Sequence, residues 1–330
     1  MEWPDVSIVI PVRNERDAVG LAVASALEQE YPGRLEVVVA DGMSTDGTRT
    51  LLGELSSDRR LKWVDNPAGS TPAALNTAII ASSGEVIVRC DAHSVLPSGY
   101  VRRAVELLEG TGADNVGGIQ LARGTSTMHR AIALAMSTPL GVGDAKFHIG
   151  GAPGPTDTVY LGVFRRSTLA KVGLFDTTLV RNQDYELNHR IRASGGVVYF
   201  HPDLAVEYSP RRSLAALASQ YRQYGTWKRE VLRRHPDSLR WRQLAAPGLV
   251  VGLAASAGLA LTPARPLSLV VPGLYLAALA ASALLETVRR ADPAGLLLPV
   301  VLPTMHLAWG FGFLTGRRTE GEPAIARLEP

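Results

Sequence analysis

Short apolar runs alternate with helical stretches over the first ninety residues, and this alternation leaves few folds open. Val6 to Ile10 is a β-branched run, followed by a stretch from about Ala18 to Gln29 with Val19, Ala22, Val23, Ala26 and Leu27 at helix spacing. Tyr31-Pro32-Gly33 stops that helix. Leu35 to Ala40 is almost continuously apolar, as in a strand covered on both faces of a parallel sheet. A helix over Thr48 to Leu55 and a third strand over Leu61 to Val64 follow. Thr71-Pro72 then opens a helix with a capping hydroxyl and a first-turn proline. Ser83-Gly84 delivers a fourth strand, Glu85 to Cys90. Four strands separated by three helices predict an α/β fold with a mostly parallel, doubly wound sheet and right-handed crossovers. In such a sheet ligands bind past the carboxyl ends of the strands.

What stands at those ends narrows the chemistry. No Gly-x-Gly-x-x-Gly follows the first strand and no Gly-Lys-Ser/Thr phosphate loop is present. The strand ends carry acids instead: Glu15, Asp41 and Asp91. Carboxylates there suit hydroxyls, a base-edge N–H or a divalent cation rather than bare phosphate. Asp91 and His93 are two residues apart in an extended segment, so they share a face and offer an oxygen and a nitrogen to one metal ion. The alternative is that Asp91 caps a turn and His93 is an ordinary loop residue. Because imidazole suits Mn²⁺ better than the harder Mg²⁺, a site with His93 predicts a divalent cofactor with Mn²⁺ preferred.

Charge is unevenly spread. Charged residues punctuate the chain up to Arg242 and then almost vanish through Leu244 to Thr262, Leu267 to Leu285 and Ala294 to Thr315. Each run is close to the ~20 residues that cross hydrocarbon. The expected organisation is a catalytic domain at 1–210, a basic amphipathic segment at 211–242, two or three membrane helices at 243–316 and a polar tail at 317–330. In the amphipathic segment Leu214, Leu217, Tyr221, Tyr224 and Trp227-Lys228 alternate with Arg222, Arg229, Arg233, Arg234, Arg240 and Arg242, a pattern suited to an anionic lipid surface. Arg222 and Lys228 are also candidates for contact with a diphosphate. The arginines flanking the first two runs place the amino end inside, but Arg317-Arg318 after the third run conflicts with three crossings. Either the rule fails there or the third run, containing Pro299 and Pro303, re-enters without crossing.

A net charge of +3 gives no argument for nucleic acid. The single cysteine, Cys90, excludes an intrachain disulfide and fits a reducing compartment. Met1 to Asp5 has neither the basic region nor the apolar run of a signal peptide, so a cytosolic amino-terminal domain is expected.

The order of motifs adds a resemblance. Val6-Ser7-Ile8-Val9-Ile10-Pro11-Val12-Arg13-Asn14-Glu15, Val39-Ala40-Asp41-Gly42-Met43-Ser44-Thr45-Asp46-Gly47-Thr48, Ala73-Ala74-Leu75-Asn76 and Asp91-Ala92-His93 resemble successive motifs of family 2 glycosyltransferases with the GT-A fold. Gly112 to Gly118, Pro139 to Gly143 and Arg181 to Asn188 resemble the membrane-associated branch that builds bacterial exopolysaccharides of the succinoglycan type.

The resemblance implies a Rossmann-like GT-A domain with helices on both faces of its sheet, followed by an α-helical membrane segment. It implies an inverting transfer of sugar from a nucleotide-diphosphate sugar, UDP in the first instance, to a lipid-linked or polysaccharide acceptor. Pro11, Asn14, Glu15 and Asn76 would border the nucleotide-sugar, Asp41 would accept from the uracil ring, and Asp91 would meet ribose and metal. His93 stands where the family usually has a second acid. Asp184, in Gln183-Asp184-Tyr185-Glu186-Leu187, matches the family's general base, with Gln183 in place of an acid. Read without the resemblance, Asp184 and Glu186 are helix-start carboxylates favoured by the dipole.

Acceptor selection falls to the segment between these motifs. Lys146, the Gly150 to Pro155 loop and Asp157 are candidates there, as are Arg165, Gln183 and Glu186 for acceptor or diphosphate. A nucleotidyltransferase and a non-catalytic nucleotide-sugar-binding scaffold remain as alternatives.

Overall fold

In the computed structural model, which describes residues 2–316 and 324–328, the four apolar runs of the amino-terminal part are strands. Ten strands occur among the described residues: β1 Val6–Val12, β2 Leu35–Asp41, β3 Leu61–Asp65, β4 Val86–Arg89, β5 Asn115–Gly118, β6 Gln120–Ala122, β7 Gly154–Pro155, β8 Tyr160–Arg165, β9 Val198–Phe200 and β10 Val206–Tyr208. The α-helices are α1 Arg16–Leu27, α2 Thr48–Leu55, α3 Thr71–Ala81, α4 Tyr100–Thr111, α5 Thr127–Met136, α6 Pro139–Val142, α7 Lys146–Ile149, α8 Arg166–Val172, α9 Gln183–Ala193, α10 Leu214–Arg234, α11 Arg242–Leu259, α12 Val270–Arg290 and α13 Leu298–Thr315.

Eight strands form one sheet in the order β3-β2-β1-β4-β8-β5-β9-β7. The first half is parallel: β1 pairs with β2 and β4, and β2 with β3. The second half is mixed, because β8 runs antiparallel to both β4 and β5. The sheet is thus GT-A-like, mixed α/β with helices. Apolar side chains cover both faces: Ile8, Ile10, Val37, Val39 and Val88 pack on one side with α1 and α4, and Val9, Val38, Ile87 and Phe164 on the other with α3 and α9. That double burial explains why these strands read as continuous apolar runs. Gly84 is required where β4 begins, since a Cβ there would lie 2.6 Å from the Ser7 backbone nitrogen.

The chain divides into two units. Among the described residues, the first holds 2–121, 150–207 and 324–328, and the second holds 122–149 and 208–316. This division differs from the boundaries read in the sequence, because 122–149 joins the second unit and the last described residues join the first. Neither move has a composition shift to announce it. Arg317 and Arg318 lie outside the described residues.

The second unit is helical, with a core of Ile132, Leu134, Met136, Leu217, Tyr221, Leu279, Leu298, Val301, Leu302 and Met305. Two stretches, Arg265–Arg290 and Pro293–Thr315, are long and apolar enough to cross a membrane, and most of each is exposed rather than packed inside. Gly225 lets α10 and α13 approach, as a Cβ there would collide with the Trp309 carbonyl. His306, an isolated polar residue in an apolar run, is held at both ring nitrogens, 2.9 Å from the Tyr275 hydroxyl and 2.9 Å from the Leu140 carbonyl. Lys228, a candidate for contact with a diphosphate, is instead buried, with Nζ donating to the Ser238 carbonyl at 3.2 Å.

Candidate active site

The carboxyl ends of β1, β2 and β4 are followed by loops, and those after β1 and β2 are fastened to one another. The Asn14 N–H donates to the Ser44 hydroxyl at 2.8 Å, while the Thr45 N–H donates to Asn14 Oδ1 at 2.9 Å. The Glu15 N–H donates to the Thr48 hydroxyl, and the Arg16 N–H to Asp46. Asp46 also accepts from the Thr48 hydroxyl, which holds its carboxyl below the ordinary range. Three non-glycine residues in loops at these strand ends and at the start of α9 have left-handed backbones: Asn14 (φ 54°), Met43 (φ 58°) and Asn182 (φ 61°). Such conformations cost roughly 1–3 kcal/mol each and persist only where surrounding contacts over-determine them.

Pro11, Glu15, Asp91, His93 and Gln183 line one cavity of about 190 Å³, together with Arg13, Asn66, Arg89 and Arg181. Arg89 is the centre of its charge pattern. From the end of β4 its guanidinium donates to Asp91 Oδ1 through Nε at 2.9 Å and through Nη1 to Asp184 Oδ1 on α9. Burial alone would lower the Arg89 pKa, but the two carboxylates outweigh it and raise it above its ordinary value. A fixed positive charge therefore joins the two acids. Sequence reasoning missed Arg89, although a charged residue inside an apolar strand was the available signal.

Asp41 does not line that cavity. It is fully buried, with Oδ2 accepting from the Ser44 N–H at 3.1 Å and from Arg49 at 2.8 Å. Its Oδ1 has no hydrogen-bond partner. Arg49 also pairs with Asp65 at 2.9 Å and stacks over Trp63. His93 Nδ1 lies 3.8 Å from Glu15, both half-exposed. Among the described residues no three His, Cys, Asp or Glu side chains are grouped to hold a metal ion. The segment after β4 is a turn rather than extended, with the Ser94 N–H donating to the Asp91 carbonyl at 2.9 Å, so the shared face read from the sequence is not formed. Both Asp91 and His93 still line the cavity, and two such donors fit a cation that completes its coordination with phosphate oxygens and water. Cys90 is buried beside Asp91, and burial together with that carboxylate pushes its thiol pKa up, so it remains a thiol.

Other candidates are engaged elsewhere. Asn76 donates to the Phe175 carbonyl at 2.8 Å and accepts from the Phe175 N–H at 2.9 Å, which uses its amide to clamp the chain before α9. Glu186 is buried against Arg190 at 2.8 Å, and Arg190 in turn caps the carbonyls of Val172, Gly173 and Leu174. Arg165 pairs across the sheet with Val86, at the opposite end of β4 from Asp91, and binds Glu109 and the Ala113 and Leu108 carbonyls. Asp157 is buried before β8 and is not on the cavity wall. Lys146, Arg222 and Lys228 belong to the second unit.

The chain is similar to known proteins over most of its length. The chain is 31% identical to the succinoglycan biosynthesis protein ExoA of Rhizobium meliloti over 93% of each chain. It is 25% identical to a dolichyl N-acetyl-alpha-D-glucosaminyl phosphate 3-beta-D-2,3-diacetamido-2,3-dideoxy-beta-D-glucuronosyltransferase of Methanococcus voltae, over 94% of this chain and 96% of that one. A mannosyltransferase from Pyrobaculum calidifontis, solved with GDP-Man and Mn²⁺, shares the fold with a TM-score of 0.63 at 22% identity, covering 96% of this chain and 89% of its own. Residues 7–173 match the family described as Glycosyl transferase family 2, and the chain belongs to that family.

Proposed function

We propose that the chain is an inverting glycosyltransferase that moves a sugar from a nucleoside-diphosphate sugar to a hydroxyl of a lipid-linked or polysaccharide acceptor at a membrane. The observation that carries this reading is the Arg89 bridge, which holds a donor-side acid, Asp91, and a base candidate, Asp184, on one guanidinium. The names of the Rhizobium and Methanococcus relatives support an exopolysaccharide or glycolipid product.

In this reading the acceptor hydroxyl loses its proton to the Asp184 carboxylate as its oxygen attacks the anomeric carbon. The bond from that carbon to the diphosphate oxygen breaks with its electron pair, and the anomeric centre inverts. A divalent cation bound by Asp91 and His93 would neutralise charge growing on the diphosphate, with Mn²⁺ preferred over Mg²⁺. The Mn²⁺ in the Pyrobaculum structure supports a cation there. Pro11 and Glu15 border the donor, and Asp41, buried off the cavity wall, is assigned to an N–H of a uracil ring by the resemblance of its motif alone. The exposed apolar helices support anchoring, with the catalytic unit on the cytoplasmic face of the plasma membrane and α10 against anionic lipid. Anchoring raises the effective concentration of an acceptor held in the same bilayer.

The test is a screen of nucleotide sugars with purified protein and Mn²⁺, comparing the parent with Asp184→Asn. Release of nucleoside diphosphate by the parent and its loss in the variant, with nucleotide binding retained, support the proposal. Release of pyrophosphate from a nucleoside triphosphate would identify a nucleotidyltransferase instead.

A further inference from the structure

We infer that the chain meets the bilayer as a two-helix hairpin of α11 and α12, that α13 does not cross, and that the C-terminal residues return to the side of the catalytic unit. This rests on the membrane anchoring proposed above.

Residues 324–328 are part of the catalytic unit. The Leu174 N–H donates to the Ala326 carbonyl at 2.8 Å and the Thr177 N–H to the Ala324 carbonyl at 3.2 Å. The Ala324 N–H donates to Asp176 Oδ1 at 3.1 Å, and Ile325 bridges Asp176 in antiparallel fashion. Ala326 and Leu328 pack on the apolar cluster that holds Phe164, Leu174 and Phe175. A segment seated in this way is on the same side of any bilayer as the unit that holds it. The chain leaves that unit by Tyr208 and is back by Ala324, so it crosses an even number of times.

Packing within the second unit selects the two crossings. α13 has the composition of a span and meets α12 through the His306–Tyr275 hydrogen bond, but one face of it is buried and its carboxyl end is bound to the basic helix α10. Leu298, Val301, Leu302, Met305, Gly310 and Gly312 on it are buried. Its carboxyl end is bonded to α10, with the Thr226 hydroxyl donating to the Gly312 carbonyl at 3.2 Å and Arg229 to the Phe313 and Leu314 carbonyls. Arg222 lies over the Phe311 ring at 5.4 Å. Just before α13, Asp292 accepts from Arg130 at 3.0 Å. A helix carrying Arg222, Arg229, Arg233 and Arg234 does not enter hydrocarbon, and α13 is fixed along it.

The other two helices differ. Along α11 and α12, Leu244, Val251, Leu274, Leu276, Leu284 and Leu285 face outward, and the turn between the helices exposes Leu261 at 90%. α11 is not one of the two stretches that are long and apolar enough as helices, since its 18 residues begin with Arg242-Gln243, but the apolar run Leu244 to Thr262 has the length of a crossing. Charges sit only at the ends: Arg242 at the start of α11, Arg265 in the turn, and Glu286, Arg289 and Arg290 in the last turns of α12. With two crossings, Arg240, Arg242, Arg289 and Arg290 share the catalytic side and Arg265 alone is opposite. The sequence position of Arg317-Arg318 then needs no exception to the positive-inside rule.

The test uses the chain in membrane vesicles, with a tag at each terminus and single cysteines introduced as Pro263→Cys and Arg289→Cys. A membrane-impermeant maleimide reports their side, and the parent, whose Cys90 is buried, supplies the blank. Both tags and Arg289→Cys are expected in one compartment and Pro263→Cys in the other. Tags on opposite sides overturn the even count. Pro263→Cys on the side of the tags overturns the hairpin, whether the crossings are then α12 and α13 or none. Sugar transfer by the same vesicles is scored separately, so a wrong topology and a wrong activity give different results.

Discussion

Arg89 joins Asp91 to Asp184, so the acid at the end of β4 and the acid at the start of α9 share one buried guanidinium. Removing that cation leaves two carboxylates facing each other without compensation. Arg89→Met is expected to lower kcat by about 10²-fold, the scale of a misplaced reacting group. Arg89→Lys, whose ammonium lacks the fork needed to hold both acids, is expected to fall between parent and Arg89→Met. Steady-state kinetics check this, with nucleotide affinity measured alongside. A parent-like kcat in Arg89→Met would show that the bridge does not position the base.

Asp184→Asn separates catalysis from binding. Loss of a general base typically costs ~10²–10⁴-fold in rate. Turnover is expected to fall by that factor while calorimetric binding of the nucleoside diphosphate is unchanged. Retention of more than about a tenth of parental turnover contradicts the role, given the size of such effects.

Asn76 gives the opposite pattern. Its amide makes both hydrogen bonds to the Phe175 backbone from a buried position. Asn76→Ala leaves a buried N–H and carbonyl unpaired, at about 1–3 kcal/mol for each such group. Thermal unfolding should show the loss, and the donor KM should stay within a few-fold of the parent. A large rise in donor KM with unchanged melting would place Asn76 at the donor instead.

These cases show what the sequence made legible. The alternation of apolar runs and helical periods located β1 to β4 because those strands are buried on both faces, and Glu15, Asp91 and His93 reach one cavity because they follow parallel strands. Asn76 and Glu186 were named from motif position alone, and a motif does not say whether a polar side chain faces a ligand or a neighbouring backbone. Arg89 stood out as a charge in an apolar strand, but its bridging role was not legible, since Asp184 is brought near it only by the long-range arrangement of α9. The return of residues 324–328 had no local signal: it depends on the Leu174 to Thr177 backbone, whose placement is a tertiary feature.

Glu36 makes the catalytic unit sensitive to acid. Burial alone would raise its pKa, but the Ser83 N–H, the Ser7 and Ser83 hydroxyls and Lys62 outweigh burial and lower it from 4.5 to about 2. The folded pKa lies below the ordinary one, so the ionised group contributes stability that is present above about 4.5 and is lost as pH falls through about 2. Glu36→Gln is expected to be less stable than the parent near neutral pH, with the gap closing across that window. Denaturation midpoints over a pH series check the sign, and a gap that widens on acidification would refute it.

His93 decides the metal prediction. It lines the same cavity as Asp91 and stands where the resemblance places a second acid. His93→Asp replaces an imidazole with an oxygen ligand, which suits Mg²⁺ better than the parent does. After chelation and add-back, the parent is expected to favour Mn²⁺ and the variant to narrow or reverse that preference. Mn²⁺ affinity read by electron paramagnetic resonance should fall in His93→Ala, which removes the donor without replacing it, even without substrate turnover. If both the metal preference and the Mn²⁺ affinity match the parent, His93 does not ligate, Asp91 remains the donor-side acid through Arg89, and the argument for Mn²⁺ over Mg²⁺ is lost while the assignment of Asp184 stands.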